Sequence, residues 1–534
     1  MTIPVPGVPA SRKTPGVFFN VVLGGPGTSA GAVALSAMLL GNMIGTAITG
    51  ASPALSVAAG TAAVATPVVV ASASDAATLF GAGSERHRMV IAFFAQYPNG
   101  LLYACPVADA GGTAASGVLT FATTANAAGT VRLRLCGEVI DVPVASGDTA
   151  TVIAAAVATY INNINSLPYT AQNSVGAVTL TAKQTGPRGS TLVVDAYFIA
   201  SGAAVETRIT TSSTASGFAT TGIWSSTSAL GSEIVLTNGA TQDSFAAALS
   251  AIEPARYDRV VGACIDATNA GRISTALSTQ AGPTVQKLQQ AVVPSVDIYG
   301  NAVTFATGLN ASRMQTAWHH ASVMPAPDVA AQVAAARLSG DGAIGGDIPG
   351  ETSDPAANLN GVGLATILVQ RAVADQPTST EIENALNNGL TVLAPSTSRP
   401  GLAEVVKSIT TRSTSGGVPN YAVLGTQNVT VPDYVADTLR AALRTAYRAC
   451  KLAPDTADGL PPRIPRVVTP SIVRGFLAQQ LATMEAAGIL INVAANLPLL
   501  IVEINATNSS RLDCEIPAAV IPGLDIVAGN VRQL

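Results

Sequence analysis

The residues best able to do chemistry in this 534-residue chain are few and scattered. Gly27-Thr28-Ser29-Ala30-Gly31 matches the G-x-S-x-G elbow that lifts a nucleophilic serine above a strand-to-helix turn, with strand-like apolar residues before it. Such a serine needs a histidine to take its proton and a carboxylate to orient that histidine. The histidines are His87, His319 and His320, and neither of the last two sits in a recognisable loop after a strand, so a hydrolase ranks behind a structural role. Adjacent His319 and His320 leave any helix or strand in different directions and cannot chelate one ion as an i,i+4 pair does. Ser339-Gly340-Asp341-Gly342-Ala343-Ile344-Gly345-Gly346-Asp347 has the composition of a calcium loop without its repeating register, and reads as a flexible loop. A GxxxxGK[ST] phosphate loop is absent, so energy from nucleotide hydrolysis by that route is excluded. Cys105, Cys136, Cys264, Cys450 and Cys514 are widely spaced and odd in number, which argues for buried free thiols in a reducing compartment. The expectation is no enzyme, no cofactor and no metal.

Elements that could position a site are more legible than any site. Charged residues are 11% of the chain, hydrophobic residues 48% and aromatics 4%, against about a quarter charged in an ordinary globular protein. A subunit that buries much of its exterior against copies of itself fits that inventory. The net charge of −4 and the lack of a basic tract exclude nucleic acid as the expected partner. No charge occurs between Lys13 and Asp75, and 30–50 is long enough to span a bilayer. Its Ala/Gly/Ser/Thr content and the interruptions at Gly41 and Gly45 favour a covered segment over membrane insertion.

Along the chain, Pro4, Pro6, Pro9 and Pro15 forbid a helix, and Val17, Phe18, Phe19, Val21 and Val22 form a β-type run that needs a partner sheet. Over 108–226 the pattern alternates: strands at 118–121, 131–135, 139–142, 178–180 and 192–194, with one helix from 148 or 149 to 165. This reads as an inserted β-rich unit. From 231 to 310 helix and strand alternate: a helix at 243–252 capped by Thr241 or Asp243, a strand at 259–265, a helix at 285–292 and a strand at 302–307. Further on, Thr378 opens a helix over 381–388, Asn388-Gly389 turns into a strand at 390–393, and helices follow at 433–451 and 471–487, the last ended by Gly488. Arg440, Arg444 and Arg448 recur every four residues on the first of these, with Lys451 beside them. The second carries Ile472, Val473, Phe476, Leu477, Leu481 and Met484 in one apolar sector, with small residues on its back. The chain ends in apolar pieces broken by proline, with Ile516, Val520, Ile521, Ile526, Val527 and Val531.

The order and wording of several separated segments resemble the contractile tail sheath proteins of Mu-like bacteriophages. They are TSTEIENALNNGLTVLAPSTSRPGLAEVVKSITTR from Thr378, NYAVLGTQNVTVPDYVADTLRAALRTAYRACKL from Asn420 and RIPRVVTPSIVRGFLAQQLATMEAAGILIN from Arg463. SDPAANLNGVGLATI from Ser353, FGAGSERHRMVIAFFAQYPNGLLYACPV from Phe80 and the tail from Arg511 belong to the same likeness. The resemblance implies a mixed α/β, multidomain tail-sheath fold. Its expected parts are an N-terminal linking arm (1–22), a discontinuous inner α/β domain (23–107 and 354–515), a β-rich outer insertion (108–226), a middle α/β domain (227–353) and a C-terminal linking arm (516–534). It implies a virion component, assembled in the host cytoplasm as stacked hexameric rings around an inner tail tube, with baseplate and tail-terminator proteins as further partners. Contraction would drive genome ejection or the stroke of an injection device. The arms would then link subunits, and Arg440, Arg444, Arg448 and Lys451 would face the tube. Another tubular virion component is the alternative.

Overall fold

The computed structural model describes residues 35–121, 124–125, 127–202, 207–208, 224–225, 234–342, 359–370, 372–455 and 465–522. Within the uncharged stretch, Ser36–Asn42 forms strand β1, all seven residues buried. A strand covered on both faces needs no polar alternation, which is why this segment reads as one apolar run. The hairpin β2 (Ile48–Ala51) and β3 (Ala54–Val57) follows, then the short strand β4 (Val68–Val70). Helices α1 (Ala73–Phe80) and α2 (Glu85–Gln96) are capped by the side chains of Ser72 and Ser84, and lead to β5 (Leu101–Val107), parallel to β1.

The other neighbour of β1 comes from far along the chain. β15 (Arg259–Gly262), β16 (Gln290–Ser295), β17 (Met314–Trp318) and β19 (Leu390–Pro395) continue the parallel run outward. Antiparallel β20 (Leu402–Val405) and β18 (Val362–Leu368) complete one side, giving a nine-stranded sheet in the order β18-β20-β19-β17-β16-β15-β1-β5-β4. Helices α4 (Ala246–Ile252), α5 (Ala267–Gln280), α6 (Tyr299–Leu309), α7 (Ala326–Gly342) and α8 (Ser379–Asn387) connect the strands. Residues 326–338 of α7 are buried all round, against α2 and the central strands, as expected of a helix without a polar face. The segment 227–353, expected as a separate middle domain, therefore supplies central strands of the same sheet.

Two expected elements are exchanged. The helix expected at 285–292 does not form: 285–289 is irregular chain and Gln290 opens strand β16, whose six residues are buried, while the strand expected at 302–307 lies in helix α6. Short apolar runs of Ala, Val and Thr have no decisive period. Ala302 and Ala306, one turn apart, pack beside Trp318, and Thr304 and Thr307 return hydrogen bonds to carbonyls one turn back. The expected loop at 339–347 begins as the last turn of α7, while 343–347 lies outside the described residues.

Between β5 and α4 a second body is inserted. β6 (Ala114–Thr120), β7 (Gly129–Leu135), β8 (Glu138–Val144), α3 (Ala150–Asn162), β9 (Tyr169–Ser174), β10 (Ala177–Thr185) and β11 (Val193–Ala200) are joined by the two-residue strands β12 (Thr207–Arg208), β13 (Trp224–Ser225) and β14 (Ile234–Val235). They form two antiparallel sheets, β13-β6-β10-β9 and β12-β11-β7-β8, around a core of their own that includes Leu133, Ile153, Val157, Leu180 and Phe198. Helix α3 begins at a Thr149 cap, within two residues of the expected start.

A third cluster lies at the end. Helix α9 (Gln427–Tyr447) starts before the expected 433, ends before the expected 451 and carries Pro432 in its second turn. It packs Val435, Leu439 and Leu443 against Val473, Leu477, Leu481 and Met484 of α10 (Pro470–Ala486). Gly488, at φ +73°, ends α10, and the antiparallel pair Ile501–Ile504 and Leu512–Glu515 lies beside it.

Candidate interaction surfaces and the buried ionic seams

Charged side chains are scarce, and several of them are spent inside the molecule where one body meets the next. The inserted body meets the sheet through the first turns of α2. Arg88 binds Asp328 of α7 at 2.7 Å and donates at 3.2 Å to the carbonyls of Ser166 and Cys136 in the insertion. Burial opposes its charge, but Asp328 outweighs burial and shifts the guanidinium's pKa upward. In the opposite direction, Arg188 of the insertion reaches Glu85 at 2.7 Å and Asp243 at 2.8 Å, all three nearly fully buried. Lys183 donates to the carbonyls of Ala82 and Asn165 at 3.0 and 2.9 Å, and burial, helped by Arg88, pushes it down to about 8. The tip of the β2–β3 hairpin adds a neutral strap: Asn173 N–H donates to the Ser52 carbonyl at 2.7 Å. Thr241 or Asp243 was expected to cap the helix at 243–252; α4 instead starts at Ala246 without a side-chain cap, and Asp243 accepts from Arg188, Asn42 and the Ala110 N–H.

The C-terminal cluster meets the sheet along α9. Arg313 grips Asp433 with two nitrogens, at 2.6 and 2.8 Å, and both side chains are about 8% exposed. Further along the helix Arg256 pairs with Asp437, and Arg440 binds Asp437 and the side-chain oxygen of Gln286, with exposures rising to 35% for Arg256. Of the basic stripe, Arg440 is thus half-buried and engaged within the chain, whereas Arg444, Arg448 and Lys451 are exposed.

Candidate arm residues divide similarly. Ile516 packs against the C-terminal cluster, Val520 is 1% exposed and bridges Leu490, and Ile521 is half-buried. Val17, Phe18, Phe19, Val21, Val22, Ile526, Val527 and Val531 lie outside the described residues, as does the whole Gly27–Gly31 motif. His319 is fully buried and pushed down to about 4 by that burial, while His320 stacks on Trp318. All five cysteines are free; Cys105, Cys136 and Cys264 are buried, Cys450 and Cys514 half-buried. Among the described residues no cluster of His, Cys, Asp and Glu could hold a metal, and no helix is long and apolar enough to cross a membrane.

No family model matches the chain. The Mu-like prophage FluMu tail sheath protein of Haemophilus influenzae is 24% identical to it over 461 residues, which is 85% of this chain and 86% of that protein. Along most of its length the chain is thus similar to a Mu-like tail sheath protein. Solved structures with a looser likeness include the sheath tail proteins of Desulfitobacterium hafniense (12% identity, 89% of this chain and 90% of that one, TM-score 0.44) and Listeria innocua (13%, 90% of each, 0.43). A chain of the anti-feeding prophage baseplate matches at 12% identity over 99% of each, with a TM-score of 0.44.

What the sequence concealed is the seam chemistry. Arg88 and Asp328 stand 240 positions apart, and Arg188 and Glu85 103 apart. One signal was available: in a chain with so few charges, Arg188 interrupts an otherwise neutral Gly186-Pro187-Arg188-Gly189 turn.

Proposed function

We propose that this chain is the structural subunit of a contractile tail sheath, polymerised as stacked hexameric rings around an inner tail tube and contracting to drive that tube through a host envelope. The observation that carries the reading is the similarity to a tail sheath protein along 85% of the chain. Its role is mechanical, and its partners are further copies of itself, the tube, and the baseplate and tail-terminator proteins at the two ends, after assembly in the host cytoplasm.

In this reading residues 1–22 and the segment beyond Pro522 link subunits by adding strands to a neighbour's sheet, which satisfies backbone groups that an isolated apolar arm leaves unpaired. The two-stranded pair Ile501–Ile504 and Leu512–Glu515 is a fitting receiver: two strands alone are marginal in water, Ile501 within the pair is 44% exposed, and Leu499 just before it is 61% exposed. Strand links of this kind persist while the bodies rotate, so contraction passes from ring to ring without dissociation. The driving energy is extra contact between bodies. At about 25 cal/mol per Å², a few hundred Å² of additional apolar burial gives several kcal/mol per subunit, repeated over every copy. The inner domain is the nine-stranded sheet with the C-terminal cluster, and the β-rich insertion stands on the outside.

Electron microscopy of the expressed protein, alone and with its tube protein, tests this. Striated tubes are expected; a chain that stays dispersed under every condition refutes the reading. Deleting 1–22, or everything after Pro522, should leave a soluble folded subunit that builds no long sheath. Normal contraction of either truncated form would remove the linking role.

A further inference from the structure

Open α/β sheets bind ligands at the carboxyl ends of the strands, in the crevice where successive connections turn to opposite sides. In this sheet that place lies between β1 and β15: the chain runs from β1 to β5 on one side, returns to β15 on the other, and proceeds outward through β16, β17 and β19. The crevice is acidic and already shaped. Asn42, at the end of β1, donates its backbone N–H to Glu85 Oε2 and its side-chain Nδ2 to Asp243 Oδ2, each at 2.8 Å. Ala110 N–H donates to Asp243 Oδ1 at 2.7 Å, and Asn269 Nδ2 donates to the Asp243 carbonyl at 2.8 Å. Glu85 and Asp243 are 5% and 1% exposed, so two carboxylates are fixed by neutral donors in a dry site, with a net demand for a cation that can reach both.

That cation is supplied by the insertion. Arg188 stands in the single turn Pro187–Thr191 between β10 and β11. Its Nε donates to Glu85 Oε1 at 2.7 Å, its Nη2 to Asp243 Oδ2 at 2.8 Å, and its guanidinium carbon lies 5.8 Å from the centre of the Phe245 ring. A planar fork satisfies two separated carboxylates at once, whereas an ammonium is a point charge that serves one. We propose that the crevice at the ends of β1 and β15 is a guanidinium-binding site and that Arg188 is its built-in ligand. The insertion docks by filling the sheet's own ligand position, independently of whether the assembled chain is a sheath.

The site is then transferable to a free ligand. In the full-length Arg188→Ala protein the crevice is vacated, and the connections on either side of the insertion, 108–113 and 236–244, become open to protease and to amide exchange. Breaking a buried ion pair from one side predicts cleavage faster by about a hundredfold. Guanidinium ion at millimolar concentration, far below the molar range in which it denatures, should restore protection and saturate. Equal concentrations of sodium or tetramethylammonium ion should not, and wild-type protein should ignore all three. Arg188→Lys should remain partly open. If Arg188→Ala accumulates only as insoluble protein, refolding with and without guanidinium ion reads the same property, and recovery with guanidinium alone is expected. Wild-type protection in Arg188→Ala, rescue by every cation, or no rescue in either format overturns the proposal.

Discussion

The two seams that tie this molecule together use the same chemistry at different depths. Where the insertion meets the sheet, Arg88–Asp328 and the Arg188 pairs are 8% exposed or less at every member. Where the C-terminal cluster meets it, Arg313–Asp433 is equally closed, but the next pairs along α9 open to water, at 35% for Arg256 and 24% for Asp437. Water competes for exposed charges and leaves buried ones with no alternative partner. The ion pairs of the first seam are therefore all closed, with only its neutral Ser52–Asn173 strap reaching water, and the second seam is pinned at one end and loose at the other. Two bodies moving as one need the first arrangement, while a cluster that shifts against the sheet needs the second.

The strongest way to break this contrast is to orphan a buried charge. Asp328→Ala should cost about 3–5 kcal/mol and Arg313→Ala a similar amount, since each leaves its partner dry and unpaired. Denaturant titration of the folded subunit measures both; a loss under about 1 kcal/mol would show that water already enters the seam. Acid provides the next largest effect. His87 accepts the Gly83 N–H at 2.9 Å, and burial, with Arg88 and Lys183 nearby, pushes its pKa from 6.5 to about 4. The unfolded chain thus binds a proton in a range where the folded chain does not. Stability should be constant above about pH 6.5 and fall as pH drops toward 4, by on the order of 2 kcal/mol for this group. His319 has the same shift, so His87→Gln should remove only part of the slope, and an unchanged slope would contradict the assignment.

At the open seam effects are smaller. Asp437→Asn releases Arg256 and Arg440 together and should cost no more than about 1 kcal/mol, shrinking further in high salt. A salt-independent loss would mean the pair is drier than its exposure indicates. Smallest for folding is Arg444→Glu with Arg448→Glu. Both residues are exposed, and stability should stay within about 0.5 kcal/mol. If these arginines face a tube as the proposed function has it, assembly on that tube should nonetheless weaken, most clearly at low salt where screening is least. Undiminished co-assembly would return these arginines to a solvated face.

Local signals in the sequence were reliable where they are physically local. Thr378 and Glu381 form the reciprocal cap that starts α8. Gly389 turns into β19 at φ +80°, with its Cα so close to the carbonyl of Thr411 that a side chain would clash. The i,i+4 spacing of the arginines on α9 was equally visible. By contrast, β16 and α6 were exchanged because runs of Ala, Val and Thr suit either period, and neighbours in the sheet decide between them. The place of β1 beside β15, 222 positions on at Ala37 and Arg259, and the Arg88–Asp328, Arg188–Glu85 and Arg313–Asp433 pairs join residues more than a hundred positions apart, where local pattern does not identify the partner.

Helix α9 has a mechanical consequence of its own. It is held to the sheet near Asp433, next to Pro432, where the missing N–H weakens the helix, and it continues without interruption to Tyr447 inside the C-terminal cluster. From pivot to tip that is about 20 Å, so a tilt of about 10° at the proline swings Tyr447 by about 4 Å. A change smaller than one side chain at the fulcrum becomes, at the far end, a step the width of a strand spacing, and the lever needs no joint other than the proline it already carries.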